Sequence, residues 1–77
     1  LEFSGTPLSD VVAEFNRYNR HQLVIADETL GSQSFGGAFA PERWDALVEI
    51  LEQGFGVSAE RNGQVITLRR NQLVPEP

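Results

Sequence analysis

Seventy-seven residues without a cysteine make one small domain whose core must come from apolar packing, since neither a disulfide nor a thiolate metal site can reinforce it. Eleven carboxylates against six arginines, with no lysine, set the net charge at −5, which counts against DNA or RNA as a partner because phosphate backbones are repelled. No methionine is present, so the chain is expected to be an excised domain or a processed product, and its lack of a targeting or membrane segment says nothing of the parent.

Leu1 to Phe3 reads as a short strand ended by Ser4-Gly5. Thr6 is placed to cap a helix, with Pro7 at the first helical position, where its missing N–H costs nothing. Leu8, Val11, Val12 and Phe15 recur at i, i+3, i+4 and i+7, and at about 100° per residue they form one apolar stripe. Asn19 is expected to stop this helix, with Arg17 and Arg20 at the negative end of its dipole.

Gln22 to Ala26 is too short for a helix and β-branched, which predicts a strand covered on at least one face. Asp27 to Gly31 reads as a turn or a single helical turn. Gln33 to Ala40 is the third strand, with Phe35, Gly37 and Phe39 on one face. A second helix is predicted from Pro41 or Glu42 to Gln53, where Trp44, Leu47, Val48 and Leu51 repeat the first stripe and Ile50 widens it. Gly54 is a natural end, with Phe55 folding back on Ile50 or Leu51.

Val57–Arg61 and Gln64–Arg70 flank Asn62-Gly63, the preferred loop of a type I′ hairpin. That loop pairs Ala59 with Ile66 and Val57 with Leu68, leaving Ser58, Glu60 and Thr67 on the other face. Residues 71–77, with two prolines and no period, read as a tail or linker after a domain spanning 1–70.

The order β-α-β-β-α-β-β describes an α+β fold of two βαβ units. Right-handed crossovers would set both helices on one face of small mixed sheets. Leu8, Val11, Val12, Phe15, Leu47, Val48 and Leu51 are the expected core.

Chemistry is scarce. His21 is the one histidine and follows a helix among Asn, Arg and Gln, so it reads as a surface or helix-end residue before a base or a pH sensor. Asp27-Glu28, Glu42 and Asp45 lack the alternating ligand spacing of a calcium loop and read as solvated carboxylates. Gly36-Gly37 lies inside a strand and reads as close packing or a bulge, not a phosphate loop. No catalytic residue, metal or cofactor is assigned, and the chain is expected not to be an enzyme.

Two features suit binding. One is the polar cluster Asn16-Arg17-Tyr18-Asn19-Arg20 around an aromatic, since Tyr and Arg are favoured interface anchors. Tyr18 could instead cap the core with its hydroxyl in water. The other is the sheet edges, which can accept an extended chain by backbone pairing. Arg17, Tyr18, Arg20 and Trp44 are the expected partner contacts.

The run Thr6-Pro-Leu-Ser-Asp-Val-Val-Ala-Glu-Phe-Asn-Arg-Tyr-Asn-Arg20 with Gln22-Leu-Val-Ile-Ala26 resembles the periplasmic C-terminal region of FecR-type anti-sigma regulators. Phe35-Gly-Gly-Ala-Phe39 and the Val57-to-Leu68 hairpin resemble that family's later strands, so the likeness covers roughly residues 1–70. The region is similar to the STN domain, the short domain shared by secretins and TonB-dependent transducers. The resemblance implies a periplasmic domain of a single-pass inner-membrane regulator of a Gram-negative bacterium. Its partner would be the signalling domain of an outer-membrane siderophore transducer, and that contact would relay iron uptake to an ECF sigma factor held by a cytoplasmic part. Neither nucleic acid nor direct membrane contact is expected of this domain. The transducers' own signalling domains carry a less polar stretch where Asn16 to Arg20 stands, which favours the regulator over the transducer and over a secretin-type assembly module.

Overall fold

The computed structural model describes residues 1–70, and the tail expected over 71–77 lies outside the described residues. The elements run β1 (Glu2–Pro7), α1 (Leu8–Asn16), β2 (Gln22–Ile25), α2 (Glu28–Gly31), β3 (Ser34–Ala38), α3 (Trp44–Gly54), β4 (Val57–Asn62) and β5 (Val65–Arg70). This is the expected α+β order, with the segment after Asp27 resolved as one helical turn. Asp27 caps that turn, its carboxylate accepting the Thr29 N–H and hydroxyl at 3.0 and 2.7 Å. Those bonds hold its carboxyl below the usual aspartate range.

The strands form two sheets. β1 pairs antiparallel with β3, while β2 runs parallel to β5 and β5 antiparallel to β4. Strands joined by a helix are therefore not partners: α1 leads from one sheet to the other, and β2 waits for the last strand of the chain. α1 contacts strands of both sheets, and its stripe of Leu8, Val11, Val12 and Phe15 is buried together with Leu47, Val48 and Leu51 of α3. All five phenylalanines run in series through this core. Ring centroids are 6.2 Å apart for Phe3–Phe15, 5.9 Å for Phe15–Phe39, 5.8 Å for Phe39–Phe35 and 5.5 Å for Phe35–Phe55.

Several local expectations are corrected. Thr6 does not cap α1. It lies in β1, which continues through a bulge where Ser4 and Gly5 oppose Gly36 alone, Gly5 taking a left-handed φ of 59°. The Thr6 hydroxyl accepts the Ser4 N–H, the helix has no side-chain cap bond, and its first N–H, that of Leu8, is satisfied by the Gln33 carbonyl at 2.9 Å. α3 begins at Trp44 because Pro41–Arg43 forms a turn, with the Arg43 N–H on the Ala40 carbonyl. Ile50 is 41% exposed: at 100° per residue it stands about 110° from the centre of the Trp44–Leu47–Val48–Leu51 stripe. The positive φ falls at Gly56 (65°) and not at Gly54, the Phe55 N–H bonds the Leu51 carbonyl at 3.1 Å, and the Phe55 ring packs on Phe35.

The hairpin is displaced by two residues. Its loop is Gly63-Gln64, with Asn62 opposite Val65 and Ala59 opposite Leu68. Only Gly63 carries a positive φ (65°), the glycine-first pattern of a type II′ turn, whereas type I′ needs two left-handed residues. This register pairs Arg69 and Arg70 with Ser58 and Val57, partners the expected register denies them. Because the slip is even, Ala59, Ile66 and Leu68 keep a common face.

Gly37 has a φ of 142°, and a Cβ there would meet the Phe39 ring at 3.0 Å. Gly37→Ala is therefore expected to cost about 1–3 kcal/mol from backbone strain and crowding. Gly54, at a helix end with open space around its Cα, is the control. Gly54→Ala is expected to leave the urea midpoint unchanged or raise it, at most about 1 kcal/mol in stability. Equal midpoints for the two variants would refute the assigned role of Gly37.

Candidate partner-binding surface

The polar cluster divides by function. Asn16 is turned inward: its Oδ1 accepts the Leu23 N–H at 2.8 Å and its Nδ2 donates to the Leu23 carbonyl at 2.9 Å. Asn19 donates through Nδ2 to the carbonyls of Phe15 (2.9 Å) and Pro41 (2.8 Å), terminating α1 and tying residues 17–21 to the approach to α3. The Gln22 amide donates to the carbonyls of Asn16 and Asn19. Two of these bonds, Asn19 on Phe15 and Gln22 on Asn16, reach the orphan carbonyls that a helix C-terminus leaves.

With both asparagines engaged, Arg17, Tyr18 and Arg20 stand out from a fixed loop. Arg17 forms an exposed ion pair with Glu14 at 3.4 Å. Tyr18 is 56% exposed, so it does not cap the core. Trp44 packs partly on the core and lies against the same loop, its indole stacked on His21 with centroids 4.5 Å apart and planes 27° from parallel. The Arg61 guanidinium sits over the Trp44 ring at 5.6 Å, within cation–π range. On either side of Trp44 in the chain, Arg43 bonds Asp45 at 3.1 Å, which raises the arginine's pKa and holds the carboxyl of Asp45 below its ordinary value.

Of the expected contacts, Arg17, Tyr18 and Arg20 share one loop, and Trp44 joins them through His21. His21 and Arg61 also belong to this surface, although neither is among the partner contacts expected from the sequence. Arg61 was detectable: it is two residues beyond Ala59, so it shares the core-facing side of β4 and emerges at that face's end, where Trp44 lies.

The ring of His21 faces an indole and not a carboxylate. Among the described residues, no three of His, Cys, Asp and Glu gather in a way that would hold a metal ion. A shallow groove of about 560 Å³ lies elsewhere, between Pro7, Ser9, Ile25, Ala26, Asp27, Glu28, Gly31 and Ser32. No helix among the described residues is long and apolar enough to cross a membrane. The surface as built offers aromatic area and guanidinium donors, which are means of binding.

No family model matches the chain, and no curated protein matches it. Among solved structures it is similar to a chain of the Salmonella SPI-1 type III secretion injectisome basal body, a structure of the proteins InvG, PrgH, and PrgK. The TM-score is 0.78 at 15% identity over 92% of this chain. The chain spans 15% of that protein's length. At this identity the likeness establishes the fold alone, a small two-sheet α+β domain.

Proposed function

We propose that the chain is a non-enzymatic interaction domain of a FecR-type anti-sigma regulator, working in the periplasm and binding the signalling domain of a TonB-dependent siderophore transducer. In this reading the contact is relayed to an ECF sigma factor held by another part of the regulator. The observation that carries the reading is the surface of Tyr18 and Arg20 beside Trp44, with the loop fixed by the internal bonds of the Asn16, Asn19 and Gln22 amides. Exposed aromatic and arginine anchors on a rigid support are what protein interfaces use, because little conformational entropy is lost on binding.

Titration calorimetry against the transducer's signalling domain tests this. Tyr18→Ala and Trp44→Ala are each expected to weaken binding at least about tenfold, roughly 1.4 kcal/mol. Tyr18→Ala should shift folding stability by no more than about 0.5 kcal/mol, as for an exposed substitution. Absence of heat with the wild-type domain at high micromolar concentration would overturn the reading.

The second reading is a secretin-type assembly module, favoured by the fold shared with a chain of an injectisome basal body. Sedimentation velocity separates the two. An assembly module associates with itself as concentration rises, and a signalling domain stays monomeric and binds one partner.

A further inference from the structure

Four of the six arginines are ion-paired: Arg17 with Glu14, Arg43 with Asp45, Arg69 with Glu60 and Arg70 with Asp27. Arg20 and Arg61 have no ion pair among the described residues. Arg61 lies over the indole of the Trp44–His21 stack, and Arg20 is the exposed residue that precedes His21 in the chain. A protein of net charge −5 thus gathers its uncompensated positive charge at one aromatic spot.

We infer that this surface takes an acidic segment of a protein partner, with carboxylates on Arg20 and Arg61 and an apolar side chain against Trp44. The inference rests on reading the surface as partner-binding. A guanidinium lying over an indole keeps its N–H edge free, and that edge matches a carboxylate bidentately. The acidic character of the rest of the domain selects against long polyanions: a phosphate backbone or an anionic bilayer would meet repulsion beyond the patch, whereas a short segment meets only the patch. The carboxylate next to Trp44 in the chain is already engaged: Asp45 is bonded to Arg43 at 3.1 Å.

The test is an NMR titration of the isotope-labelled domain with the peptide Asp-Leu-Glu-Leu-Asp, against Asn-Leu-Gln-Leu-Asn as the uncharged control. The acidic peptide should move the Trp44 indole N–H and the Arg20 and Arg61 Nε–H signals saturably, and the control should not. Arg20→Gln and Arg61→Gln should each weaken this about tenfold, and Arg61→Lys, which keeps charge without the planar fork, should fall between. Equal shifts from the control peptide, undiminished binding in both glutamine variants, or the same shifts from inorganic phosphate or phosphatidylglycerol vesicles would overturn the inference. The same variants titrated with the transducer domain separate the two claims. Unchanged affinity removes the acidic segment and leaves the partner, whereas no binding to the wild-type domain removes the partner.

Discussion

Phe15→Ala should strongly destabilise the domain. Phe15 is fully buried on α1 and touches Phe3 of β1 and Phe39 beyond β3, so its ring is where the helix meets the two-stranded sheet. Truncating a buried Phe removes the transfer free energy of its ring and leaves a cavity, together about 3–5 kcal/mol. A chain of this length has total stability of only about 4–12 kcal/mol. Without a disulfide, little else compensates for the loss. Urea denaturation followed by circular dichroism, and the dispersion of the amide proton spectrum, report the outcome. A variant with the wild-type midpoint would mean that the phenylalanine series is not the core.

Asn16→Ala is expected to cost about 2–4 kcal/mol, large for a partly exposed polar residue. Gln22 and Ala26 donate their N–H groups toward β5, to the carbonyls of Gln64 and Leu68. By the alternation of a parallel ladder, Leu23 presents its N–H and C=O on the outer edge. The Asn16 amide meets both, acting as one residue of a missing neighbour strand. Leu23 is only 2% exposed, so the groups left behind are poorly reached by water. Each lost bond is worth about 0.5–1.5 kcal/mol net, and an unsatisfied buried group costs about 1–3. Asn16→Asp keeps the acceptor and loses the donor, so it should fall between wild type and alanine. The substitution also opens an edge that native proteins normally guard. Concentration-dependent association of the alanine variant, read by light scattering, is the second expected signature. Unaltered stability together with a strict monomer would show that the bond pair is incidental.

The asparagine also illustrates a limit of reading function from a motif. As a sequence, Asn16 to Arg20 is one polar run, and nothing in it separates residues that terminate a helix from residues that face a partner. The separation follows from position. Asn16 stands close to Leu23 in space because the chain turns back along α1, and Asn19 reaches Pro41 across twenty-two residues. His21 and Arg61 enter the surface for the same reason, since Trp44 is where α3 starts and where the core-facing side of β4 ends.

The amino-acid sequence by itself determined the two helices, their buried stripes, the order of the strands and the α+β class. Those features follow from apolar spacing, which is a local property of 3.6- and 2-residue periods. The tertiary structure alone decided which strands pair, the two-residue displacement of the hairpin and the meeting of Trp44 with His21 and Arg61. Periodicity specifies a face and not a partner, and an even slip of register leaves every face unchanged. Pairing is settled by burying α1 against both sheets at once, with α3 packed on β4, and that is a property of the whole chain.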